Sequence, residues 1–365
     1  MEKNIENSRL MSVDVLRGFD LLMIIFADRF FYNLNTAAKT NFTSNLAAQF
    51  EHPEWLGSHF YDIIMPLFLF VVGVVIPFSL GKRTIESKSK TQLYYHIIRR
   101  FVILFILGWI VQGNLLFLDI TKFQVFSNTL QAIAVGYLFS SLAYIHLSKK
   151  GRYIMFVFCL VVYAVLLSLP NVFGIDFELL PNKNLPIYID QHVFGRFYDQ
   201  TQYSWLLTGF GFIATTMSGL FAGELLLSKL PRQKIANYLV LIGLTAIIVS
   251  LIIGVWHPII KKIWTSSFVL FSSGISFILL ALFYWIVDVK RYQKWAYPFR
   301  IIGLNAIAAY VGSHVLNFSL IAKQVFYGFE QFTGAYYDAF CDVAGFGILY
   351  LILWYMHKNK TYIKV

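Results

Sequence analysis

The chain has 365 residues, of which 58% are hydrophobic and 13% are charged, and its mean hydropathy is +0.63. These values lie well outside the range of soluble domains, so they predict a polytopic membrane protein. The net charge of +11 does not indicate nucleic-acid binding, because its distribution follows membrane topology. Both cysteines, Cys159 and Cys341, lie in apolar segments, which argues against a disulfide framework and a thiolate metal site.

Ten apolar stretches are long enough to cross a bilayer, and we predict an all-α, polytopic membrane helix bundle of about ten transmembrane helices. No soluble domain fits between them, so residues 1–365 are predicted to form a single domain. The first stretch is not a cleavable signal peptide, because it contains charged residues and lacks a small-residue cleavage site. The predicted spans lie near residues 12–33, 58–80, 98–117, 127–146, 152–170, 204–227, 235–254, 265–288, 299–318 and 337–356.

Lysine and arginine are unevenly divided between the two sets of connections. The segments on the side of the two termini carry 21 of these residues, and the opposite connections carry seven. Positive residues are enriched on the cytoplasmic side of membrane proteins, so both termini are predicted to be cytoplasmic. The connections that then face the outside are 34–57, 114–126, 171–203, 255–264 and 319–336.

Charged residues inside the first span are costly in a bilayer and are therefore candidates for function. Asp14, Arg17 and Asp20 follow one another at intervals of three residues, so they can form one ion-paired cluster near the cytoplasmic face. Two interpretations remain open: a structural cluster that lets an arginine lie in the membrane, or a cationic site for a cytoplasmic anion such as a phosphate. Asp28 lies roughly 16 Å farther along the helix, near its outer end.

The stretch from Glu51 to Leu80 is the strongest candidate for a chemical site. It opens with a polar and aromatic cluster and continues, after Asp62, into about eighteen uncharged residues. His52 and Trp55 are either ordinary interface residues, since amphipathic rings collect at headgroup level, or part of a site at the mouth of the helix. Because Asp28 is expected at the depth of His52, we predict a hydrogen-bonded pair in which the carboxylate orients the imidazole.

Further polar residues begin or interrupt the later spans. Asn128 and Gln131 open the fourth span, where Asn128 could simply cap the helix. Ser266 begins the eighth span, and Asn305 and His314 lie inside the ninth, where His314 is more often a satisfied bundle histidine than a catalyst. The sequence contains no HExxH, Walker, CxxC or GxSxG motif, so we predict no metal site.

Five blocks stand out in order along the chain: SVDVLRGFDLLMII, HPEWLGSHFYDIIMPLFLFVVGVVIPFSL, FSNTLQAIAVGYL, KKIWTSSFVLF and PFRIIGLNAIAAYV. Together they resemble the heparan-α-glucosaminide N-acetyltransferase family, and more closely its bacterial homologues. The resemblance covers nearly the whole chain from about Ser12. It implies a ten-helix core without the luminal N-terminal domain and first transmembrane helix of the lysosomal enzyme. It also implies a location in the bacterial inner membrane, with the active site open to the periplasm.

The resemblance implies transfer of an acetyl group from cytosolic acetyl-CoA to the amine of a glucosamine-type sugar on the far side of the membrane. His52 then takes the role of the family's active-site histidine. Asp28 stands where the family has an asparagine, and Ala132 stands where relatives often have arginine after Leu-Gln. Whether the acetyl group rests covalently on His52 or passes directly to the acceptor stays open.

From chemistry and placement, we assign the remaining site residues as follows. Arg17, Arg99 and Arg100 are expected to hold the phosphates of acetyl-CoA near the cytoplasmic entrance. Asn128, Gln131, Ser266 and Asn305 are expected to contact the acyl donor, and Trp55, Asp62 and Trp264 the acceptor. Two other functions remain open: an O-acyltransferase of a cell-surface glycan and a small-molecule transporter. The lipid bilayer is a partner in each case, and a homodimer is also left open.

Overall fold

A computed structural model of the chain describes residues 10–86, 90–172 and 174–363. Lys3, Arg9, Lys88 and Lys364, which contribute to the charge count above, lie outside the described residues. The described chain is mostly helical, and its one small sheet is an antiparallel pair of two-residue strands, β1 (Asn171–Val172) and β2 (Ile175–Asp176).

The first half of the chain contains the helices α1 (Met11–Leu22), α2 (Asp28–Ala38), α3 (Asn41–Ala48), α4 (Ile64–Glu86), α5 (Lys90–Val111), α6 (Thr129–His146), α7 (Lys149–Leu167) and α8 (Leu185–Phe194). The second half contains α9 (Gly209–Leu226), α10 (Arg232–Ile253), α11 (Ser266–Tyr284), α12 (Tyr297–Leu304), α13 (Ala306–Val315), α14 (Phe318–Val325), α15 (Glu330–Thr333) and α16 (Tyr337–Lys358).

Within the described residues, seven helices are long and apolar enough to cross a membrane. This confirms the predicted all-α, polytopic membrane bundle. The other three predicted spans differ from a plain apolar helix in identifiable ways. The first is divided by a π-helical segment, Met23–Ala27, between α1 and α2, and the ninth is broken between α12 and α13. The fourth, α6, is continuous but carries polar residues such as Gln131 and His146 within its 18 residues.

The centre of the bundle is the crossing of α4 and α9, where glycines let the two backbones touch. A Cβ atom on Gly219 would lie 1.9 Å from the carbonyl oxygen of Phe70, and one on Gly73 would lie 1.9 Å from that of Thr216. Small residues let membrane helices approach this closely. The van der Waals contacts that result stabilise the helix pair, because the hydrophobic effect does not drive helices together inside a lipid bilayer. Helices α5, α7 and α10 lie outside this centre and leave most of their apolar surface exposed, as lipid-facing helices do.

The three long connections predicted to face the outside carry short elements of their own. The 34–57 connection contains α3, and the 171–203 connection contains the β1–β2 hairpin and α8. The 319–336 connection contains α15 and all of α14 except its first residue. A short 3-10 turn, Phe60–Ile63, leads from the first of these connections into α4. This turn carries the residues that organise the site described next.

Candidate active site

One end of the bundle encloses a cavity of about 440 Å³. Its wall comes from the π-helical segment Met23–Ala27, the starts of α2 and α6, α13 and three connections. These connections, 34–57, 171–203 and 255–264, are predicted from the sequence to lie on one side of the membrane. The polar and aromatic lining includes Asp28, His52, Tyr61, Asn128, Asp199, Tyr203, Lys261, Trp264 and His314. Loops that are far apart in the sequence therefore meet around a single space.

Backbone contacts between loops place the chemical groups side by side. The N–H of Gly57 donates to the carbonyl of Ile259 at 2.9 Å, and Gly57 has φ +91°, a conformation that favours glycine. The ammonium of Lys262 donates to the carbonyl of Glu54 at 2.7 Å, and the N–H of Ser204 donates to the carbonyl of Lys262 at 3.1 Å. The 255–264 connection is thereby fixed between the two other loops.

His52, Asp62 and Lys261 form a compact polar cluster on the cavity wall. Nδ1 of His52 lies 2.6 Å from Oδ1 of Asp62, and Nζ of Lys261 lies 3.2 Å from the same oxygen. Nζ of Lys261 also lies 3.2 Å from Nδ1 and 3.4 Å from Nε2 of His52. The second oxygen of Asp62 accepts the backbone N–H of His59 at 2.8 Å, at the start of the 3-10 turn. The carboxylate is therefore fixed from both sides.

The hydrogen bond to Asp62 determines what the imidazole offers to the cavity. The ionised carboxylate of Asp62 can only accept a hydrogen bond, so we assign the ring proton of His52 to Nδ1. Nε2 is then the atom that can accept a proton from a substrate. The side chain of His52 is 37% exposed, whereas those of Asp62 and Lys261 are 0% and 8% exposed. The histidine is thus the accessible member of the cluster, and the other two support it from behind.

The charged groups around the cluster are perturbed by burial. Burial lowers the pKa of Lys261 to about 8, against the attraction of Asp62, which raises it. Burial likewise lowers the pKa of Lys262 and raises that of Asp199, although Thr201 and Trp205 donate hydrogen bonds to Asp199. A lysine with a pKa near neutrality can exist as a cation or as a free amine at physiological pH.

Asp28 lines the same cavity, but the predicted Asp28–His52 pair is corrected by the structure. The carboxylate of Asp28 accepts the N–H of Arg29 at 2.6 Å and is hydrogen-bonded with Tyr61. The ring of Tyr61 lies 5.3 Å from that of His52, so it stands between the two residues that the sequence paired. The carboxylate partner of His52 is Asp62, which the sequence assigned to acceptor binding.

A smaller cavity, of about 150 Å³, adjoins this site through His314, which lines both. Its polar wall centres on Asp342, which is 4% exposed. Oδ1 of Asp342 lies 3.1 Å from Nε of Arg29 and accepts from Ser319 at 2.7 Å, and Oδ2 accepts from Asn33 at 2.7 Å. These contacts fix α2 and α14 against α16 just beyond Asp28.

Two residues predicted to contact the acyl donor, Asn128 and Gln131, belong to the N-terminal cap of α6. Oδ1 of Asn128 accepts the N–H groups of Leu130 and Gln131, and its amide donates to the carbonyl of Gly108 at 2.9 Å. Oε1 of Gln131 accepts the N–H of Ser127, and its amide donates to the carbonyl of Val125. Asn128 borders the cavity, but the hydrogen bonds of both side chains are already used to hold the helix end.

Four further predicted residues are anchored in the scaffold. Ser266 donates to the carbonyl of Leu160 at 2.8 Å. Asn305 sits at the break between α12 and α13 and hydrogen-bonds backbone groups near the C-terminal end of the described chain. Trp55 packs beneath the 171–203 connection, where Nε1 donates to the carbonyl of Leu179. Among these four, the cavity lining includes Trp264, whose Nε1 donates to Thr215 at 3.2 Å.

The three predicted phosphate-binding arginines lie toward the other end of the bundle. Arg17 is on α1, eleven residues before Asp28, and attracts the buried carboxylate of Asp20. Arg99 is exposed on α5, and the guanidinium of Arg100 lies 4.3 Å from the centre of the Tyr137 ring. None of the three lines the cavity, and their contact with the phosphates of acetyl-CoA stays a prediction.

Sequence reasoning missed the contribution of Lys261 and Tyr61. In the sequence, Lys261 has the pattern of an interfacial cation, because it precedes a second lysine and a tryptophan at a span boundary. The available signal was its position in the block KKIWTSSFVLF, one of the five blocks that carry the resemblance. Tyr61 offered no such signal, since tyrosine is common at membrane interfaces.

Comparisons with known proteins give a distant similarity over most of the chain. Residues 9–113 match a family described as a domain of unknown function, DUF5009. The chain is similar to heparan-alpha-glucosaminide N-acetyltransferase from Homo sapiens, with 24% identity over 85% of this chain and 53% of that protein. The enzyme of the same name from Mus musculus is 23% identical over 85% of this chain and 54% of its own length. The chain thus spans about half the length of these relatives, and it is distantly related to acetyltransferases.

Proposed function

We propose that this protein is an integral-membrane acetyltransferase that moves the acetyl group of acetyl-CoA to the amine of an amino sugar bound in the cavity. The observation that carries this proposal is the His52–Asp62–Lys261 cluster on the cavity wall. An accessible imidazole oriented by a buried carboxylate is the arrangement that general-base catalysis requires. The distant similarity to two acetyltransferases supports the choice of acyl transfer over other base-catalysed reactions.

In the proposed reaction, the acceptor amine attacks the thioester carbonyl of acetyl-CoA. The new C–N bond forms as the C–S bond breaks, and the CoA thiolate leaves. Nε2 of His52 takes the proton that the amine loses and returns it to the departing thiolate. Asp62 keeps the imidazole in the required tautomer and stabilises the imidazolium that forms.

Lys261 is the candidate for stabilising the negative charge that develops on the carbonyl oxygen. Its ammonium group is buried and held by Asp62, so it is already oriented when the reaction begins. A fixed positive charge in a site shielded from water stabilises an oxyanion more strongly than the same charge in bulk water. This role requires the protonated form of Lys261.

The remaining lining suits an amino sugar. Tyr61, Tyr203 and Trp264 present aromatic surface, and Asp28 and Asp199 present carboxylates that can attract the ammonium group of the acceptor. Cavities that combine apolar walls with a few fixed polar groups are typical of small-molecule binding sites. We assign the acceptor to this cavity for that reason.

The donor is proposed to enter from the end of the bundle that carries Arg17, Arg99 and Arg100. The predicted orientation makes that end cytoplasmic, where acetyl-CoA is available, and opens the cavity to the periplasm. Guanidinium groups favour phosphate, so removal of the 3′-phosphate from CoA is expected to weaken binding. Unchanged affinity in the combined Arg17→Ala and Arg100→Ala variant would contradict this placement of the nucleotide.

The proposed function is tested with purified protein in lipid nanodiscs, radiolabelled acetyl-CoA and glucosamine. Base-stable label on the sugar indicates an amide and supports the proposal, whereas base-labile label indicates an ester and an O-acyltransferase. His52→Ala is expected to reduce the rate by about 10²–10⁴-fold. His192→Ala is the matched control, because His192 lies on α8, does not line the cavity, and makes its described hydrogen bond and ring contact with Tyr188 of the same helix. Sugar flux in vesicles without acetyl transfer would indicate a transporter instead.

A further inference from the structure

Lys261 brings a second amine into the site, chemically similar to the proposed acceptor. Its Nζ lies 3.4 Å from Nε2 of His52, the atom assigned above as the proton acceptor. Any acetyl group positioned for attack by an amine that His52 activates is therefore also near Nζ of Lys261. The side chain is 8% exposed and lines the cavity, so it is within reach of a bound donor but shielded from bulk reagents.

The amine of Lys261 is a nucleophile only when it is not protonated. Among the charged and titratable groups described around Lys261, Asp62 attracts its proton, Lys262 repels it, and His52 lies beside it. Tyr203 and Asp199 share the cavity wall. Burial outweighs the attraction of Asp62 and lowers the pKa of Lys261 to about 8. Roughly one molecule in ten then carries a free amine at pH 7, and about half do so at pH 8.

We propose that Lys261 is a self-acetylation site, at which the protein transfers the acetyl group of acetyl-CoA to its own side chain when no acceptor occupies the cavity. This inference rests on the proposed function. The neutral Nζ attacks the thioester carbonyl, a C–N bond forms and the C–S bond breaks. Nε2 of His52 takes the proton lost by the amine and passes it to the CoA thiolate. The products are acetyl-Lys261 and free CoA.

Acetylation of Lys261 inactivates the site for a physical reason. The amide that forms carries no charge, so Asp62 loses its ion pair and the carbonyl oxygen of a later substrate loses its stabilising cation. The acceptor amine and Lys261 compete for the same acetyl group. A bound acceptor therefore protects the enzyme, and a shortage of acceptor switches it off while acetyl-CoA remains present.

Lys262 provides an internal control one residue away. Its Nζ donates to the carbonyl of Glu54 at 2.7 Å and to Oε1 of Gln202 at 2.6 Å, so it is engaged away from His52. Chemical acetylation by acetyl-CoA in solution would favour exposed lysines such as Lys150. Self-acetylation within the site favours Lys261 over both.

The experiment incubates the full-length protein in nanodiscs with acetyl-CoA, without acceptor, at pH about 6.5 and about 8.5. Fragment mass spectra then locate acetyl groups on Lys261, Lys262 and Lys150. We expect modification of Lys261 alone, at least tenfold faster at the higher pH, suppressed by added glucosamine and slowed at least tenfold in His52→Ala. The transferase rate should fall in proportion to the acetylated fraction of Lys261.

Two results would overturn the inference. Equal modification of the three lysines would indicate chemical acetylation in solution. In the second result, Lys261 stays unmodified after prolonged incubation without acceptor, yet the same protein acetylates glucosamine once it is added. This result would refute self-acetylation alone and leave the proposed function in place. Acetyl transfer to neither glucosamine nor Lys261 would instead refute the proposed function itself, so the two failures are distinguishable.

Discussion

The substitution Asp62→Asn tests which carboxylate serves His52. It keeps the shape of a side chain that is 0% exposed and changes its charge and one hydrogen-bonding atom. Asp62 accepts at both oxygens, from His52 on one side and from the N–H of His59 on the other. An asparagine has one oxygen, and the backbone N–H of His59 can only donate. The amide nitrogen must therefore face Nδ1 of His52.

That rotation reverses the tautomer of the imidazole. Nδ1 of His52 would become the acceptor, and Nε2 would carry the proton and lose its ability to act as a base. In a catalytic triad the same kind of change reduces kcat by about 10⁴-fold, which corresponds to roughly 5 kcal/mol at about 1.4 kcal/mol per tenfold. Lys261 also loses the negative charge 3.2 Å away that holds its proton. We therefore expect Asp62→Asn to lower kcat by about 10³–10⁴-fold.

The assay is steady-state transfer of acetyl groups to glucosamine, compared among Asp62→Asn, Asp28→Asn and His52→Ala. Asp28→Asn should be mild, because Asp28 bonds Tyr61 and an N–H rather than the imidazole. Adding Asp62→Asn to His52→Ala should cost much less than Asp62→Asn costs in the wild type, since the imidazole that Asp62 orients is already absent and only its hold on Lys261 is lost. If Asp62→Asn keeps a third or more of the wild-type rate while Asp28→Asn abolishes acetyl transfer, then Asp62 is not the carboxylate that serves His52.

Three further predictions concern packing, pH and orientation. Gly219→Ala should lower the unfolding temperature in detergent by the equivalent of about 1–3 kcal/mol or more, because its Cβ meets a backbone carbonyl. Gly347→Ala, whose Cβ meets nothing within 4 Å, should be neutral or stabilise the protein by about 0.5–1 kcal/mol. Equal shifts of the unfolding temperature in the two variants would contradict this packing. Above pH about 8, kcat/KM should fall as Lys261 loses its proton. The pKa of Lys261 is lower in the folded chain, so the unfolded chain binds more protons between pH about 8 and the ordinary pKa of 10.5. The contribution of Lys261 to the free energy of unfolding should therefore increase as the pH rises through that window. A loss of stability in parallel with the loss of activity would argue against the assignment. An impermeant thiol reagent should label Lys183→Cys in intact spheroplasts and Lys150→Cys only after lysis, and the reverse pattern would invert the predicted topology.

Most of the helices were predictable, because long apolar runs have few alternatives in a membrane. Some ends were not, since the span predicted near 98–117 corresponds to α5 (Lys90–Val111). The predicted span near 235–254 corresponds to α10 (Arg232–Ile253), and that near 337–356 to α16 (Tyr337–Lys358). The broken ninth span was not predictable. Its sequence has no proline at the break, and Asn305 is stabilised there by backbone groups of a C-terminal segment that returns from far away in the sequence.

The pairing of His52 was only half predictable for a geometric reason. Counting residues along a helix places Asp28 at the correct depth, and Asp28 does reach the cavity. Depth does not determine the direction in which a side chain points, and the π-helical segment Met23–Ala27 changes the helical register just before Asp28. Asp62 was available in the same stretch as His52, but the 3-10 turn that aims it at the imidazole depends on contacts that no periodic pattern encodes.

Lys261 shows why the charge pattern of a membrane protein can hide a functional residue. Two adjacent lysines at a span boundary predict interface anchors, and Lys262 does bond groups on the loop surface. Lys261 is drawn inward because Gly57 adopts a left-handed conformation and docks its loop on Ile259, two residues before Lys261. The docked loop also carries His52. The same backbone contact therefore buries the lysine, lowers its pKa and places it beside the imidazole, so the chemistry of this site depends on how two loops meet rather than on the helices that carry them.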